Sequence, residues 1–253
     1  MTTNPFPTSL TSKVPQVTLA FWLIKIATTT LGETAGDAVS MTLKLGYAIG
    51  TAIFFAFFLV AVTAQVRAKT FHRFLYWTVI VATTTVGTTM ADFSDRSLGI
   101  GYAGGSLILF AGLMIVLALW RFTLGTVSVA SITTPKAEIF YWVTILFSNT
   151  LGTALGDYLS DGIGFDQSAM VFGSAIVAIA LLYFYTDISH TALFWMAFIL
   201  TRPLGASLGD ILTKPLISGG LNLGRFSSSL AIAVFMVGCI VLSERSAREP
   251  TRV

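Results

Sequence analysis

Charge is scarce in this chain of 253 residues: Lys, Arg, Asp and Glu together make up 11%, where a soluble domain carries about 25%. Cysteine occurs once, as Cys239 inside an apolar run. That excludes an internal disulfide, matches no metal-ligand spacing, and leaves a small core residue as the expected role. Histidine occurs twice, at His72 and His190. Neither has a second His or Cys at ligand spacing, so both are expected as residues near a membrane interface, with a modest pH sensor as the alternative. No phosphate loop, nucleophile elbow or metal-binding His pair is present, so neither an enzyme nor a bound cofactor is expected. The opening MTTNPFPTSLTSKVPQVTLAFW has no short apolar core followed by a small-residue cleavage site, so the first hydrophobic stretch is expected to be retained. The net charge of +3 does not imply nucleic acid, because membrane topology accounts for the basic residues.

What the chain has instead is apolar length. It is 55% hydrophobic with a mean hydropathy of +0.81. Several windows run close to ~20 residues without charge, enough to cross a ~30 Å hydrocarbon core as a helix. A polytopic all-α membrane protein follows. One pattern also occurs four times: Gly32-Glu-Thr-Ala-Gly-Asp37, Gly87-Thr-Thr-Met-Ala-Asp92, Gly152-Thr-Ala-Leu-Gly-Asp157 and Gly205-Ala-Ser-Leu-Gly-Asp210. Trp22, Trp77, Trp142 and Trp195 each stand ten residues before the leading Gly, preceded by Phe21, Tyr76, Tyr141 and Phe194. Copies in register at this length govern the fold.

Each repeat predicts two transmembrane helices, a motif helix and a plain apolar one. The motif helices are expected near 16–41, 71–95, 137–160 and 190–213, the apolar ones near 46–66, 101–122, 167–186 and 224–243. The repeats run approximately 14–69, 70–134, 135–187 and 188–244 in one transmembrane domain, between short tails 1–13 and 245–253. Lys13, Arg67, Lys69, Arg73, Arg121, Lys136, Arg245, Arg248 and Arg252 fall on the side of the termini; Lys44, Arg96, Lys214 and Arg225 fall on the other. Nine against four places both termini in the cytoplasm and the repeated Trp residues near the inner interface. Polar groups avoid lipid, so the motif helices should form an inner ring and the apolar helices an outer layer. Repeats with an even number of spans share one orientation, which predicts a pseudo-fourfold bundle of eight helices about the membrane normal. A twofold pairing of repeats 1–2 with 3–4 is left open.

At ~1.5 Å per residue the leading Gly lies ~15 Å from its Trp and the Asp ~22 Å. Gly32/Gly36, Gly87/Ala91, Gly152/Gly156 and Gly205/Gly209 form small-xxx-small grooves for close helix packing. Asp37, Asp92, Asp157 and Asp210 recur within apolar spans, where a carboxylate costs ~2.5–3.5 kcal/mol or more. In one layer they would repel unless protonated or neutralised by a cation. The alternatives are hydrogen-bond acceptors that hold the ring together, or caps near water at the helix ends. One turn before them stand Glu33, Thr88, Thr153 and Ala206; two turns before stand Thr30, Thr85, Thr150 and Pro203; next inward are Thr29, Thr84, Asn149 and Arg202. This face offers hard oxygen ligands suited to Mg, Ca or Mn. The candidate metal ligands are the four aspartates and Glu33, lined by Thr30, Thr85, Thr88, Asn149, Thr150, Thr153 and Arg202. Asp95 and Asp161, a turn outward and nearer water, are expected as solvated loop charges, with a vestibule as the alternative. Lys25 is expected to snorkel to the interface, Arg202 to pair with an aspartate, and Pro203 to kink its helix.

The segments ATTTLGETAGD (27–37), ATTTVGTTMADFSDRSLGIGYAGG (82–105), SNTLGTALGDYLSD (148–161) and LTRPLGASLGD (200–210) resemble a family of prokaryotic uncharacterised membrane-anchored proteins built of four copies of a two-helix repeat. The resemblance covers nearly the whole chain. It implies a bacterial or archaeal membrane protein of the inner (plasma) membrane and supplies no activity. Glu33-Thr-Ala-Gly-Asp37 is also similar in its chemistry to the acidic motifs of calcium and manganese exchangers, at a different spacing.

The leading functional expectation is a secondary transporter of a divalent cation, manganese first, exported in exchange for protons. Its partners would be the lipid bilayer, the cation and protons, with a homo-oligomer possible. The alternatives are a cation channel with an acidic ring and a non-transporting membrane scaffold or sensor. An aspartyl hydrolase fits poorly, because four equivalent carboxylates are not a dyad.

Overall fold

The computed structural model describes residues 13–248. The expected tail residues 1–12 and 249–253, Arg252 among them, lie outside the described residues, as do the side chains of Arg245 and Arg248. The described residues contain eight long helices and no strand: α1 (Leu19–Asp37), α2 (Gly46–Arg67), α3 (Arg73–Asp92), α4 (Tyr102–Leu124), α5 (Pro135–Ile163), α6 (Phe165–Tyr185), α7 (His190–Thr213) and α8 (Arg225–Arg248). Thr18, Thr134 and Ser189 cap α1, α5 and α7 by accepting from the amides of Phe21, Ala137 and Ala192, and so satisfy donors that a helix start leaves orphaned. Gly125 (φ 75°) ends α4 in the left-handed conformation that glycine adopts without a Cβ penalty. Single π-helical turns, Ala38–Thr42 and Phe93–Ser97, continue α1 and α3 directly past Asp37 and Asp92. The third and fourth motif helices have no such turn.

Seven of the eight helices are long and apolar enough to cross a membrane. The exception, α1, carries Lys25, Glu33 and Asp37. The apolar stretches of α3, α5 and α7 are 67–72% buried, against 11–22% for α2, α4, α6 and α8, so the motif helices supply the interior. Helix α1 packs on α3, α3 on α5, α5 on α7, and α7 back on α1. Each apolar helix lies chiefly against the motif helix of the following repeat: α2 on α3, α4 on α5, α6 on α7, and α8 on α1. Hydrogen bonds follow the same offset, from Ser229 of α8 to Thr34 of α1 and between Ser168 of α6 and Ser207 of α7.

An aromatic girdle closes one end. Phe21 meets Trp77 at 5.5 Å, Tyr76 meets Trp142 at 5.5 Å, Tyr141 meets Trp195 at 6.2 Å, and Phe194 meets Trp22 at 5.7 Å. The aromatic residue of each repeat therefore seats on the Trp of the next, and the fourth returns to the first. Trp77, Trp142 and Trp195 are buried. Their rings pack against protein, because this stepping leaves them inside the ring of motif helices. Tyr76 and Tyr141 share a hydrogen bond between their hydroxyls, at positions held by Phe21 and Phe194 in the other repeats. Tyr76→Phe alone orphans the Tyr141 hydroxyl and should cost about 1–3 kcal/mol, whereas the double change to Phe should be nearly neutral. Thermal unfolding of the three variants checks this.

Candidate functional site

The leading glycines set how closely the motif helices approach. A Cβ on Gly32 would collide with Thr84, and one on Gly205 with Thr29. On Gly87 it would lie 2.9 Å from the Asn149 carbonyl carbon, and on Gly152 2.5 Å from Arg202 Cβ. Each glycine thus receives the residue seven positions after the Trp of the following repeat, in a closed cycle. The second small residue repeats the arrangement a turn outward: a Cβ would meet Thr88 on Gly36, Ala206 on Gly156 and Glu33 on Gly209. Ala91, the second small residue of repeat 2, is buried in α3. At this helix spacing the threonine hydroxyls reach carbonyls across the seam. Thr84 donates to Thr28 O, Thr29 to Thr201 O and Thr88 to Gly32 O. Such bonds contribute roughly 0.6 kcal/mol each within a membrane.

Inside this ring the ionisable groups lie in layers. In the innermost, Lys25 is fully buried. Its Nζ donates to Asn149 Oδ1 at 3.3 Å and stands 4.1 Å over the Phe198 ring, while Asn149 Nδ2 donates to Thr83 at 2.9 Å. Lys25 therefore does not snorkel. It points into the ring, where an amide oxygen and an aromatic face replace water.

The next layer is centred on Arg202, also fully buried. Its stem fills the groove at Gly152 on α5. Its Nη2 meets Glu33 Oε2 at 3.0 Å and also donates to Thr88 Oγ1 of α3, and Nη1 donates to Thr29 O of α1 at 3.4 Å. The guanidinium thus ties α7 to α1 and α3, while the stem packs on α5. Its ion pair is with Glu33, not with an aspartate as expected, because Glu33 reaches inward from the first repeat alone. Pro203 does not break α7, which continues as helix to Thr213; its ring lies against Gly152.

The four aspartates are all buried and fall into two pairs. Arg96 bridges Asp92 (2.9 Å) and Asp157 (3.3 Å). Lys214 bridges Asp37 (3.2 Å) and Asp210 (3.1 Å), and Arg225 adds a contact to Asp37 at 3.4 Å. Glu33, Asp37 and Asp210 each offer a ligand oxygen, all within 4.8 Å of one another. Lys214 lies just past α7. Burial works against its ammonium, but Asp210, Asp37 and Glu33 outweigh that and hold its pKa above the usual lysine value. A raised folded-state pKa means its stabilising contribution is complete below the ordinary lysine pKa of about 10.4 and disappears as pH rises through the folded value. The outer end should therefore stay clasped at neutral pH and loosen only in strong alkali, seen as a pH-dependent thermal midpoint that Lys214→Met removes.

Sequence reasoning assigned Arg96, Lys214 and Arg225 to loop topology and so missed their place beside the aspartates. The signal was a basic residue four positions after the Asp in repeats 2 and 4, where repeats 1 and 3 have Met41 and Asp161. These cations supply the charge that a set of five carboxylates against Lys25 and Arg202 alone would lack. Among the candidate lining residues, Thr88 and Asn149 join the central layers. Thr30, Thr85, Thr150 and Thr153 bond to carbonyls of their own helix four residues back. Asp95 is buried with its carboxylate against Gly105 of α4, while Asp161 is exposed.

Comparison with known proteins finds four segments, residues 20–71, 75–126, 140–189 and 193–249, that match the family model described as Repeat of Unknown Function (DUF347). No curated protein and no solved structure matches the chain.

Proposed function

This chain belongs to the DUF347 repeat family, whose repeat it carries four times, and on that premise we propose that it is an integral membrane protein and a proton-coupled secondary transporter of a divalent cation. Its repeats form a pseudo-fourfold bundle about the membrane normal, modulated to twofold by the charges. Three of the four basic residues expected outside, Arg96, Lys214 and Arg225, are ion-paired to the aspartates. That leaves Lys44 to weigh against the basic residues on the side of the termini and favours cytoplasmic termini. The setting is a prokaryotic plasma membrane.

The observation that carries the transport reading is the buried trio Glu33, Asp37 and Asp210 with ligand oxygens within 4.8 Å. Carboxylate oxygens suit Mg, Ca or Mn, and manganese is the first candidate. With Arg202 in place and the peripheral cations Lys214 and Arg225 swung aside, the trio has a net charge of minus two, which one divalent cation neutralises. Lys214 is then the resident counter-ion that holds the empty carboxylates together. Protonation of Asp37 and Asp210 would release the cargo and couple its movement to protons. Arg202 and Lys25 fill the centre of the ring, which favours this reading over an open channel.

The test is calorimetry with Mn2+, Mg2+ and Ca2+ on the purified chain, joined to flux measurements in proteoliposomes. Asp37→Asn and Glu33→Gln should each weaken cation binding at least about tenfold, about 1.4 kcal/mol. Lys214→Met should tighten it, because the competing ammonium is gone. No binding in the wild type, together with unchanged flux in Asp37→Asn, ends the proposal. A second reading, a non-transporting scaffold clasped by static ion pairs, has its own support: every motif aspartate already touches a basic side chain. Under it Lys214→Met only destabilises the fold.

A further inference from the structure

The outer end of the ring is closed by Arg96 between α3 and α5 and by Lys214 between α7 and α1. The opposite end, where the motif helices begin, has an ionic tie of another kind. Lys13 stands six residues before the start of α1 at Leu19. Its Nζ meets Glu138 Oε1, in the first turn of α5, at 2.6 Å. Helices α1 and α5 stand opposite each other in the ring, each packed on α3 and α7. The short segment 13–18 therefore joins opposite helices, which neither outer clasp does.

Three elements build the seat of this ammonium. Helix α2 ends at Arg67, and the last four carbonyls of a helix lack intrahelical partners and carry its negative end. Val66 O is one of them and accepts from Lys13 Nζ at 3.1 Å. Glu138 adds a full charge from α5. Side-chain exposure is 12% for Lys13 and 2% for Glu138, so the pair escapes the solvent screening that makes surface pairs weak. Beside it, Val14 is buried in the same hydrophobic cluster as Phe21, Trp77 and Trp142. The segment before α1 is thus anchored by a charge and by an apolar side chain at adjacent positions.

We propose that residues 13–18 form a strap whose Lys13–Glu138 latch holds this end of the ring shut, and that release of the latch is the conformational step that opens it. The latch stands apart from the carboxylate trio, and only its consequence for flux rests on the transport reading. Alternating access needs one end closed while the other opens. Arg96 and Lys214 close the outer end between adjacent helices. Lys13 closes the inner end across the ring, where it opposes outward movement of both α1 and α5.

Thiol labelling reads the strap directly. Cys239→Ser removes the chain's one natural cysteine, and Val14→Cys then places a small apolar thiol at the buried position of the strap. A water-soluble maleimide reaches it when the strap lifts. Adding Lys13→Glu sets two carboxylates against each other and should speed labelling at least about tenfold, measured well below the thermal midpoint so that global unfolding does not contribute. Unchanged labelling overturns the latch. A second variant locks it. Lys13→Cys with Glu138→Cys, in the same Cys239→Ser background, leaves no stranded charge and so guards against a folding defect in Lys13→Glu. A reducible bis-methanethiosulfonate reagent joins the two thiols. In proteoliposomes the lock should stop Mn2+ flux and reductant should restore it, while calorimetric Mn2+ binding persists. Flux that continues through the lock overturns the strap as a gate and leaves the transport reading intact. Absence of both binding and flux before locking ends the transport reading instead, and the labelling rates alone then decide the latch.

Discussion

Replacing Arg202 with methionine is expected to lower stability by about 3–5 kcal/mol, the usual cost of leaving one member of a buried ion pair without its partner. Methionine fills the volume of the stem beside Gly152, so packing contributes little to the loss. What disappears is the only cation within ion-pair distance of Glu33 among the described residues, together with donors to Thr88 and the Thr29 carbonyl. Those contacts join α7 to α3 and α1, so the expected loss is of cooperative unfolding of the whole ring rather than local fraying. Arg202→Met combined with Glu33→Gln should recover a large part of it, because a neutral amide no longer demands a counter-charge. The double-mutant cycle, measured by thermal or denaturant unfolding in detergent, isolates the coupling. A coupling near zero would remove Arg202 from the centre of the fold.

The second large effect is expected at Gly87. A new Cβ there would lie 2.9 Å from Asn149 C and 3.0 Å from Thr150 N. Both are backbone atoms, so no rotamer change relieves the contact and α3 must move away from α5. Gly87→Ala should cost about 1–3 kcal/mol, and Gly87→Leu should prevent folding. Gly238, on the exposed side of α8, provides the control: no atom lies within 4 Å of the Cβ it would gain. Alanine there should be neutral or slightly stabilising, as helix propensity favours Ala over Gly by roughly 1 kcal/mol. Midpoints measured side by side decide it; equal effects at both positions would mean that the glycine seams do not set helix spacing.

Much of the architecture was readable from residues alone. The apolar runs predicted eight helices, and their ends fall within a few residues of those observed. The leading glycines marked places where neighbouring motif helices approach closely. Other features followed rules the sequence does not display. Lys25, one turn from Trp22, reads as a residue whose stem runs to the interface, yet its ammonium turns into the ring to meet Asn149 and Phe198. Arg96 and Lys214 read as loop charges, yet each lies one helical turn past an Asp. In repeat 2 the π-helical turn carries Arg96, whose side chain spans two repeats. A periodic pattern records which residues share a face, but not which neighbouring face they meet.

The sequence by itself determined that this chain repeats a two-helix unit four times, that one helix of each unit is polar enough to seek the interior, and that small residues and a carboxylate recur at fixed depth. Helical periodicity and the cost of polar groups in an apolar setting are local properties, and they suffice for that much. Only the tertiary structure decided that each apolar helix covers the next repeat's motif helix, and that the carboxylates gather as two clasped pairs with Glu33 drawn to Arg202. Those outcomes depend on which surfaces meet once four similar units close into a ring. Similar units closing on themselves fit several offsets equally well by pattern, and contacts between residues more than a hundred positions apart, such as Arg202 with Thr88, select among them.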